Sequence, residues 1–375
     1  LTVNIASGTY NENISFGEIS GASATNTITL QSAAMSADSV VWQNNTNNSS
    51  KNYAVNLSGA DHMRFKHITF SGAGTYYKRQ MVVAGVVDSL VVDSCRFETN
   101  TTSAGYNSNC TSFDASQVQM SGLQITNSTF ENTFSYAIKL SGINSTPRPS
   151  NIEISNNHFI NMYDGIYIDY HDKVSIRNNT MSNSTTVGNY GILLAEVDSA
   201  TVIENNRMYG SEYALTYGIA LGNCHASEEN PGRIINNIIQ SNNAGIYFSN
   251  HVTHYNMYHN TIYSHGNPLN FSSYSASYLS IKNNIIMSDG ASSFIYFAGS
   301  QNVSSSSLDM DYNNIFFSNS SVSPFRVTST YYTLSNWQST FGQDSNSVIT
   351  DPYFVDDSTL VPFSPLMDNM GTPIS

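Results

Sequence analysis

One short pattern returns so often that it dictates what the chain can fold into. It runs as a large apolar residue, a free position, a turn-forming pair that is usually Asn-Asn, another free position and a second apolar residue. The clearest copies are Ile154-Ser-Asn-Asn-His-Phe159, Ile176-Arg-Asn-Asn-Thr-Met181 and Ile203-Glu-Asn-Asn-Arg-Met208. Ile234 to Ile239, Ile281 to Ile286 and the tyrosine version Asp311 to Phe316 follow, with weaker copies starting at Phe65, Val92, Ile125 and Met257. The steps between copies run from 22 to 33 residues. Between them sits a second pattern, Gly followed by alternating apolar residues: Gly165-Ile-Tyr-Ile168, Gly191-Ile-Leu-Leu194, Gly218-Ile-Ala-Leu221 and Gly245-Ile-Tyr-Phe248. Ala137 to Leu140 and Phe294 to Phe297 are looser relatives.

Both segments have the period-2 alternation of short strands, separated by Gly, Asn and Ser turns. A unit of two or three such strands cannot bury its own apolar face, whereas units stacked on one another bury a continuous core. Asn suits the sharp bend between strands because it tolerates the left-handed backbone conformation. With coils stacked about 4.8 Å apart, equivalent Asn side chains can hydrogen-bond in a ladder. The step lengths suit a three-sided parallel β-helix. A β-propeller would need ~40 to 45 residues per blade, and a leucine-rich solenoid would need a Leu ladder that is absent.

Composition narrows the function. There are 14 Lys and Arg against 27 Asp and Glu, a net charge of -13. So few basic residues cannot neutralise many phosphates, which argues against nucleic acid as a partner. No apolar run approaches the ~18 residues of a membrane span, so no membrane insertion is expected. The chain opens at Leu1 without Met and reads as a mature or excised piece.

The Asn-pair units resemble the repeats of right-handed parallel β-helix proteins of the pectin-lyase-like superfamily. Val3 to Ile14 and Gly21 to Leu30 are similar to the first turns of β-helix modules in large secreted surface proteins of Bacteroidota. Leu334-Ser-Asn-Trp337, Gly342-Gln-Asp344, Asp351-Pro-Tyr-Phe354 and Ser364-Pro-Leu-Met-Asp368 resemble the closing segment of such a module. The resemblance implies an all-β right-handed solenoid of about ten or more coils and an exported protein, extracellular or at the cell surface. It leaves activity open, since the superfamily mixes lyases, hydrolases, esterases and non-catalytic modules. One elongated domain is expected. Residues 1–64 would form the first turns with Trp42 sealing the end, 65–316 the regular stack, and 317–375 a closing segment around Trp337. Long loops at 98–122 (with Tyr106 and Cys110), 141–150 and 222–232 stand out from it.

Outward strand positions align in columns along a solenoid. The Gly-strand register places Lys139, Tyr167, Tyr247 and Tyr296 in one column, Asp169 in the next, and His171, Glu196 and His251 just beyond. Lys139, Tyr167, Asp169, His171 and Glu196 could therefore face one groove. There a Lys or Tyr would serve as base, or Asp169 and Glu196 as acid and base on a glycosidic bond. Against this, such residues commonly just solvate an outer face, and a chain this acidic repels the polyanions that lyases cleave. Glu228 and Glu229, with Asp198 or Glu196, could hold Ca²⁺; adjacent acids in a long loop are more often solvated, and no other cofactor is expected. The nine His show no two-ligand spacing on a strand face, so zinc is not suggested. Lys66 and Asp93 occupy the same outward position on successive coils and should form a modest ion pair. Of the three Cys, a Cys95–Cys110 bridge would leave Cys224 free.

The outward tyrosines are the last candidates. Tyr167, Tyr247 and Tyr296 share one expected column, Tyr258 and Tyr312 another, and aromatic faces bind the sugar rings of neutral glycans without charge. Tyr is equally a good strand residue on a half-buried surface. The leading expectation is a secreted or cell-surface β-helix module, a rigid structural and adhesive element contacting a polysaccharide or surface glycan through these tyrosines, within a larger multi-module chain or end-to-end assembly. A polysaccharide lyase or glycoside hydrolase is the alternative, and a filament-forming subunit a further one, since open β-helix ends template stacking.

Overall fold

The structure, a computed structural model, describes residues 1–375 apart from 47, 75–76, 100–109, 145–146, 184–187, 211–214, 273–275, 293, 357–359, 365–370 and 375. Tyr106 and the stretch 365–368, singled out above, lie outside the described residues. The chain divides into two compact units, Leu1–Gly188 and Asn189–Ser375, each built of coils that add one strand to each of three sheets.

In the first unit Ile28–Ser32, Met63–Lys66, Val91–Asp93, Gln124–Thr126, Ser150–Ser155 and Asp172–Arg177 lie side by side, all parallel, in the first sheet. The second sheet includes Thr69–Gly72, Arg96–Thr99, Thr129–Glu131, His158–Ile160 and Thr180–Asn183. The third includes Val55–Ser58, Met81–Val83, Phe113–Ser116, Tyr136–Ser141 and Asp164–Asp169. Strand alternation sends Phe65, Val92, Ile125, Ile154 and Ile176 inward, all fully buried. On the second sheet Phe70, Phe97, Phe130 and Phe159 form a continuous pile with centroids 5.1, 4.6 and 5.0 Å apart. The coil spacing itself supplies this stacking distance. Trp42 lies in the same column, paired with Tyr10 on one side and Phe70 on the other. It is therefore one coil inside the edge, and Tyr10 rather than Trp42 is the outer layer. Lys66 Nζ stands 3.3 Å from Asp93 Oδ2, as expected of that pair.

Between the first and second sheets the chain turns on a single left-handed residue. In the first unit this is His67, Ser94, Asn127, Asn156 or Asn178, with φ between 52° and 57°; in the second it is Asn205, Asn236, His259, Asn283 or Tyr312, with φ between 55° and 58°. The residue after each bend points inward and is buried. The two Asn of the repeat thus divide the work: the first makes the bend and the second builds the ladder. In the second unit the ladder runs Asn206, Asn237, Asn260, Asn284 and Asn313, each Nδ2 donating to the Oδ1 of the next at 3.0 Å. The Nδ2 of Asn237, Asn260, Asn284 and Asn313 also donates to Ile203, Ile234, Met257 and Ile281 carbonyls at 2.8–2.9 Å. Every buried amide in the run is thereby satisfied without water.

The last copy of the repeat sits one residue earlier than the sequence pattern suggests. Met310 pairs with Ile281 and Asp311 with Lys282, so Tyr312 takes the bend and Asn313 the ladder position. Tyr258 and Tyr312 consequently do not share a column: Tyr258 pairs with Lys282, while Tyr312 follows His259 and Asn283. Asn313-Asn314 reads like the usual pair, but only its first member lines up. A coil through Asn267–Phe271 also separates Tyr247 from Tyr296, which are joined in register through Asn270. The Gly column reflects close approach. A Cβ on Gly218 would stand 2.6 Å from the Gly245 carbonyl and 2.3 Å from Ile239 Cγ2.

The second unit closes with a helix, Leu334–Phe341, capped by Thr333 and ended by Gly342 at φ 66°. It lays Trp337 flat on Phe325, with centroids 4.4 Å apart, and buries it completely. Gln343 then completes the exposed strand edge, accepting from Met310 N and donating to the Leu308 carbonyl, both at 2.8 Å. Asp344 terminates the ladder, receiving Asn313 Nδ2, Ser347 Oγ and Trp337 Nε1. Burial pushes its carboxyl up to about 6 against those three donors. Ile315 N donates to Val348 O at this edge, so the edge is occupied and does not invite strand addition. All three cysteines are buried free thiols, and the Cys95–Cys110 bridge is not formed. Cys95 instead occupies the ladder column, and burial pushes its thiol up to about 12.

Candidate functional site

The expected groove residues separate into different surroundings. In the first unit Asp114, Lys139 and Tyr167 follow one another in register on the outer face of the third sheet. Asp114 pairs with Arg79 Nε at 3.1 Å, and Lys139 Nζ lies 5.7 Å from the Tyr136 ring. Tyr167 donates its hydroxyl to Asp169 Oδ2 at 2.8 Å. Burial and the neighbouring Asp169 carboxylate raise the Tyr167 pKa well above its ordinary value, so this phenol is held as a hydrogen-bond donor and is a poor base.

His171 is not on the groove. Tyr170 takes the left-handed bend at φ 51°, and His171 falls behind it, 1% exposed. Its Nδ1 lies 2.6 Å from the Asp169 carbonyl, and burial lowers its pKa. A Cβ on Gly142 would come within 3.2 Å of its Cε1. The structure therefore joins Lys139, Tyr167 and Asp169 on one face and removes His171 from it. Glu196 belongs to the second unit, where it sits at a bend (φ 53°) and accepts Asn223 Nδ2 at 2.9 Å.

The expected tyrosine platform changes character. Tyr190, Tyr217 and Tyr247 stack with centroids 4.9 and 5.1 Å apart, and Asn243 and Ser272 cap the hydroxyls of Tyr217 and Tyr247. Tyr296 is covered by the Arg326 guanidinium at 5.4 Å, and Tyr167 leans on Tyr136 at 5.3 Å. Rings stacked on one another offer edges and hydroxyls outward, whereas a sugar packs on a ring face. Tyr190 and Tyr217 were missed in the sequence, although each immediately precedes a Gly of the second pattern.

Tyr258 and Tyr312 each line a concavity. Tyr258 stands with Arg233, Asn256, Glu229 and Pro231 in a groove of about 480 Å³. Tyr312 lines a cavity of about 270 Å³ with His259, Asn283 and Asn346, beside Thr372, whose backbone exchanges two hydrogen bonds with the Asn283 side chain. Glu228 and Glu229 are exposed, and among the described residues no group of three or more His, Cys, Asp or Glu side chains is placed to hold a metal ion.

One constellation escaped the sequence reading altogether. Asp198 Oδ1 accepts both the backbone N and Nδ1 of His225, at 2.9 and 3.2 Å. His225 Nε2 lies 3.0 Å from His251 Nδ1. The three sit 27 and 26 residues apart, each step one coil, so they converge across coils and not along a strand. Looking for two His on one strand face could not find them; looking for polar residues separated by the coil length could have.

The sequence profile described as "right handed beta helix region" matches residues 118–262 and 164–338. No curated protein matches the sequence. Among solved structures, a mannuronic acid specific family 6 polysaccharide lyase from human gut microbiota aligns at 12% identity with TM-score 0.46, over 88% of this chain and 85% of that one. A mutant of the periplasmic alginate epimerase AlgG aligns at 10% identity with TM-score 0.40, over 92% and 78%. Likenesses this distant do not bear on what the chain binds or does.

Proposed function

Since the chain belongs to the right-handed β-helix family, we propose that it is an exported, non-catalytic module that holds a neutral glycan against the outer face of its first sheet. The supporting observation is the groove of about 480 Å³ containing Tyr258, Arg233, Asn256 and Glu229. It combines one aromatic ring with an amide and two opposite charges, the mix that satisfies sugar hydroxyls while the ring takes an apolar sugar face. Tyr258 and Asn256 lie on one strand, Val252–Tyr258, and Arg233 on its neighbour, Gly232–Ile235, so the sheet fixes their spacing. Arg233 and Glu229 balance, and the net charge of -13 disfavours polyanionic chains. On the third sheet of the first unit, Tyr167 is a hydrogen-bond donor and His171 is buried, which speaks against a catalytic role for these two.

Titration calorimetry against neutral and uronate-containing oligosaccharides tests this. Binding of a neutral oligosaccharide is expected, weakened about tenfold or more by Tyr258→Ala, a loss of about 1.4 kcal/mol. Undiminished binding in that variant would remove the groove from the reading. New reducing ends or unsaturated uronate products would replace it with catalysis.

A further inference from the structure

We propose that His225 and His251 form a two-imidazole docking site for a tetragonal divalent transition-metal ion, Cu²⁺ or Ni²⁺, with Asp198 as the positioning residue behind it. The site is independent of the glycan groove and of whether the protein is catalytic.

The argument starts from the carboxylate. Asp198 Oδ1 accepts from His225 Nδ1 at 3.2 Å, so the proton of the neutral ring sits on Nδ1 and Nε2 carries a lone pair. A carboxylate behind an imidazole is the arrangement that fixes the tautomer and orients a metal-binding His. The same oxygen also takes His225 N at 2.9 Å, tying backbone and ring to one anchor. Cys224–His225 pairs in parallel with Val252–Thr253, so the two His rise from adjacent coils of a hydrogen-bonded sheet.

The second nitrogen is at the right distance. His251 Nδ1 is 3.0 Å from His225 Nε2, and the rings meet nearly edge to face, at 71° with centroids 4.9 Å apart. Two nitrogens bound at ~2.0–2.1 Å to one ion are ~2.9 Å apart at a right angle and ~3.4 Å apart at the tetrahedral angle. The observed spacing fits the right angle, the geometry of Cu²⁺ and Ni²⁺ with nitrogen and oxygen ligands. Two protein ligands leave the other positions to water. That is consistent with the absence, among the described residues, of any larger His, Cys, Asp and Glu group. His251 is exposed, so the ion has an open path, and loading replaces the His225–His251 hydrogen bond, with the His251 proton moving to Nε2. The acidic balance of the chain draws cations toward it.

The test uses untagged, chelator-treated full chain titrated with CuCl₂ and NiCl₂ by calorimetry at neutral pH. One equivalent should bind, Cu²⁺ more tightly than Ni²⁺. His251→Gln and His225→Gln should each weaken binding about tenfold or more. Asp198→Asn keeps an oxygen acceptor but removes the carboxylate charge behind the ring, and should weaken binding by about 10- to 100-fold. Paramagnetic broadening by Cu²⁺ should fall on the His225 and His251 ring signals, and unchanged circular dichroism of the apo variants separates ligand loss from misfolding. No saturable binding, or binding indifferent to both His substitutions, overturns the site; binding indifferent to Asp198→Asn overturns the positioning role.

Discussion

The two units solve the same bend differently. In the first, the buried position after the bend is filled by Ile68, Cys95 and Ser128 before Asn157 and Asn179 appear, and the pile two residues on is aromatic: Phe70, Phe97, Phe130, Phe159. In the second, that buried position is Asn in all five coils, from Asn206 to Asn313, and the pile two residues on is Met208, Ile239, Ile262, Ile286 and Ile315. Directional amide hydrogen bonds hold the corner of one unit, and ring stacking that of the other where Asn is missing. The difference teaches that a coil requires repetition at a position more than any one residue type. An apolar side chain, a thiol or a hydroxyl serves if its neighbour column supplies the lost cohesion. Ser128 shows the junction: its Oγ accepts Cys95 N at 3.1 Å, and its own N donates to Asn157 Oδ1 at 2.9 Å.

Three experiments break or sharpen this contrast. Phe130→Ala in the middle of the aromatic pile should cost about 4 kcal/mol in denaturant unfolding, since it opens a cavity between Phe97 and Phe159. A cost near that of a surface substitution would show that the pile is not what holds the first unit. Asn260→Ala should cost about 3 kcal/mol, because it strips Asn237 N of its acceptor and Ile234 O of its side-chain donor. Ser128→Ala, which leaves fewer groups unpaired, should cost less. Equal losses would remove the distinction between the two corners.

The smallest expected effect is with pH, and it is confined to the second unit. Asp344 has its pKa raised to about 6 in the fold, so between the unfolded and folded values the native state binds the extra proton. Its stabilising contribution is therefore greatest in acid and is lost as pH rises. Roughly 2 kcal/mol should go between about pH 4 and pH 6.5, a slope that Asp344→Asn should flatten. A stability curve at these pH values unchanged by that substitution would contradict the assignment.

The architecture was readable because the Asn pairs and Gly strands repeat at the coil length, and repetition survives individual exceptions. What the sequence concealed were phase and convergence. Asn313-Asn314 imitates the repeat one residue out of step, which is why Tyr258 and Tyr312 were assigned one column. Asn267-Pro-Leu-Asn-Phe271 lacks the Gly signature, so this strand was not seen, although its coil is marked by the copy at Met257. His171 looked outward by strand alternation, but alternation restarts at the bend on Tyr170. Asp198, His225 and His251 meet only because three coils bring them together, which no spacing along a single strand records. The stacked tyrosines were placed on roughly the right face, while the covering of their ring faces by one another is a property of packing alone.

The asparagine ladder also has a direction. Each Oδ1 from Asn237 to Asn313 accepts from the preceding coil, so the side-chain carbonyl dipoles add along the column as peptide dipoles do in a helix. Its positive end is Asn313, and the group placed against that end is the Asp344 carboxylate. The closing segment thus does more than cover a strand edge: it places a countercharge at the pole of a polarised column. A column of this kind is electrically complete only when its last coil and its closing segment are both in place.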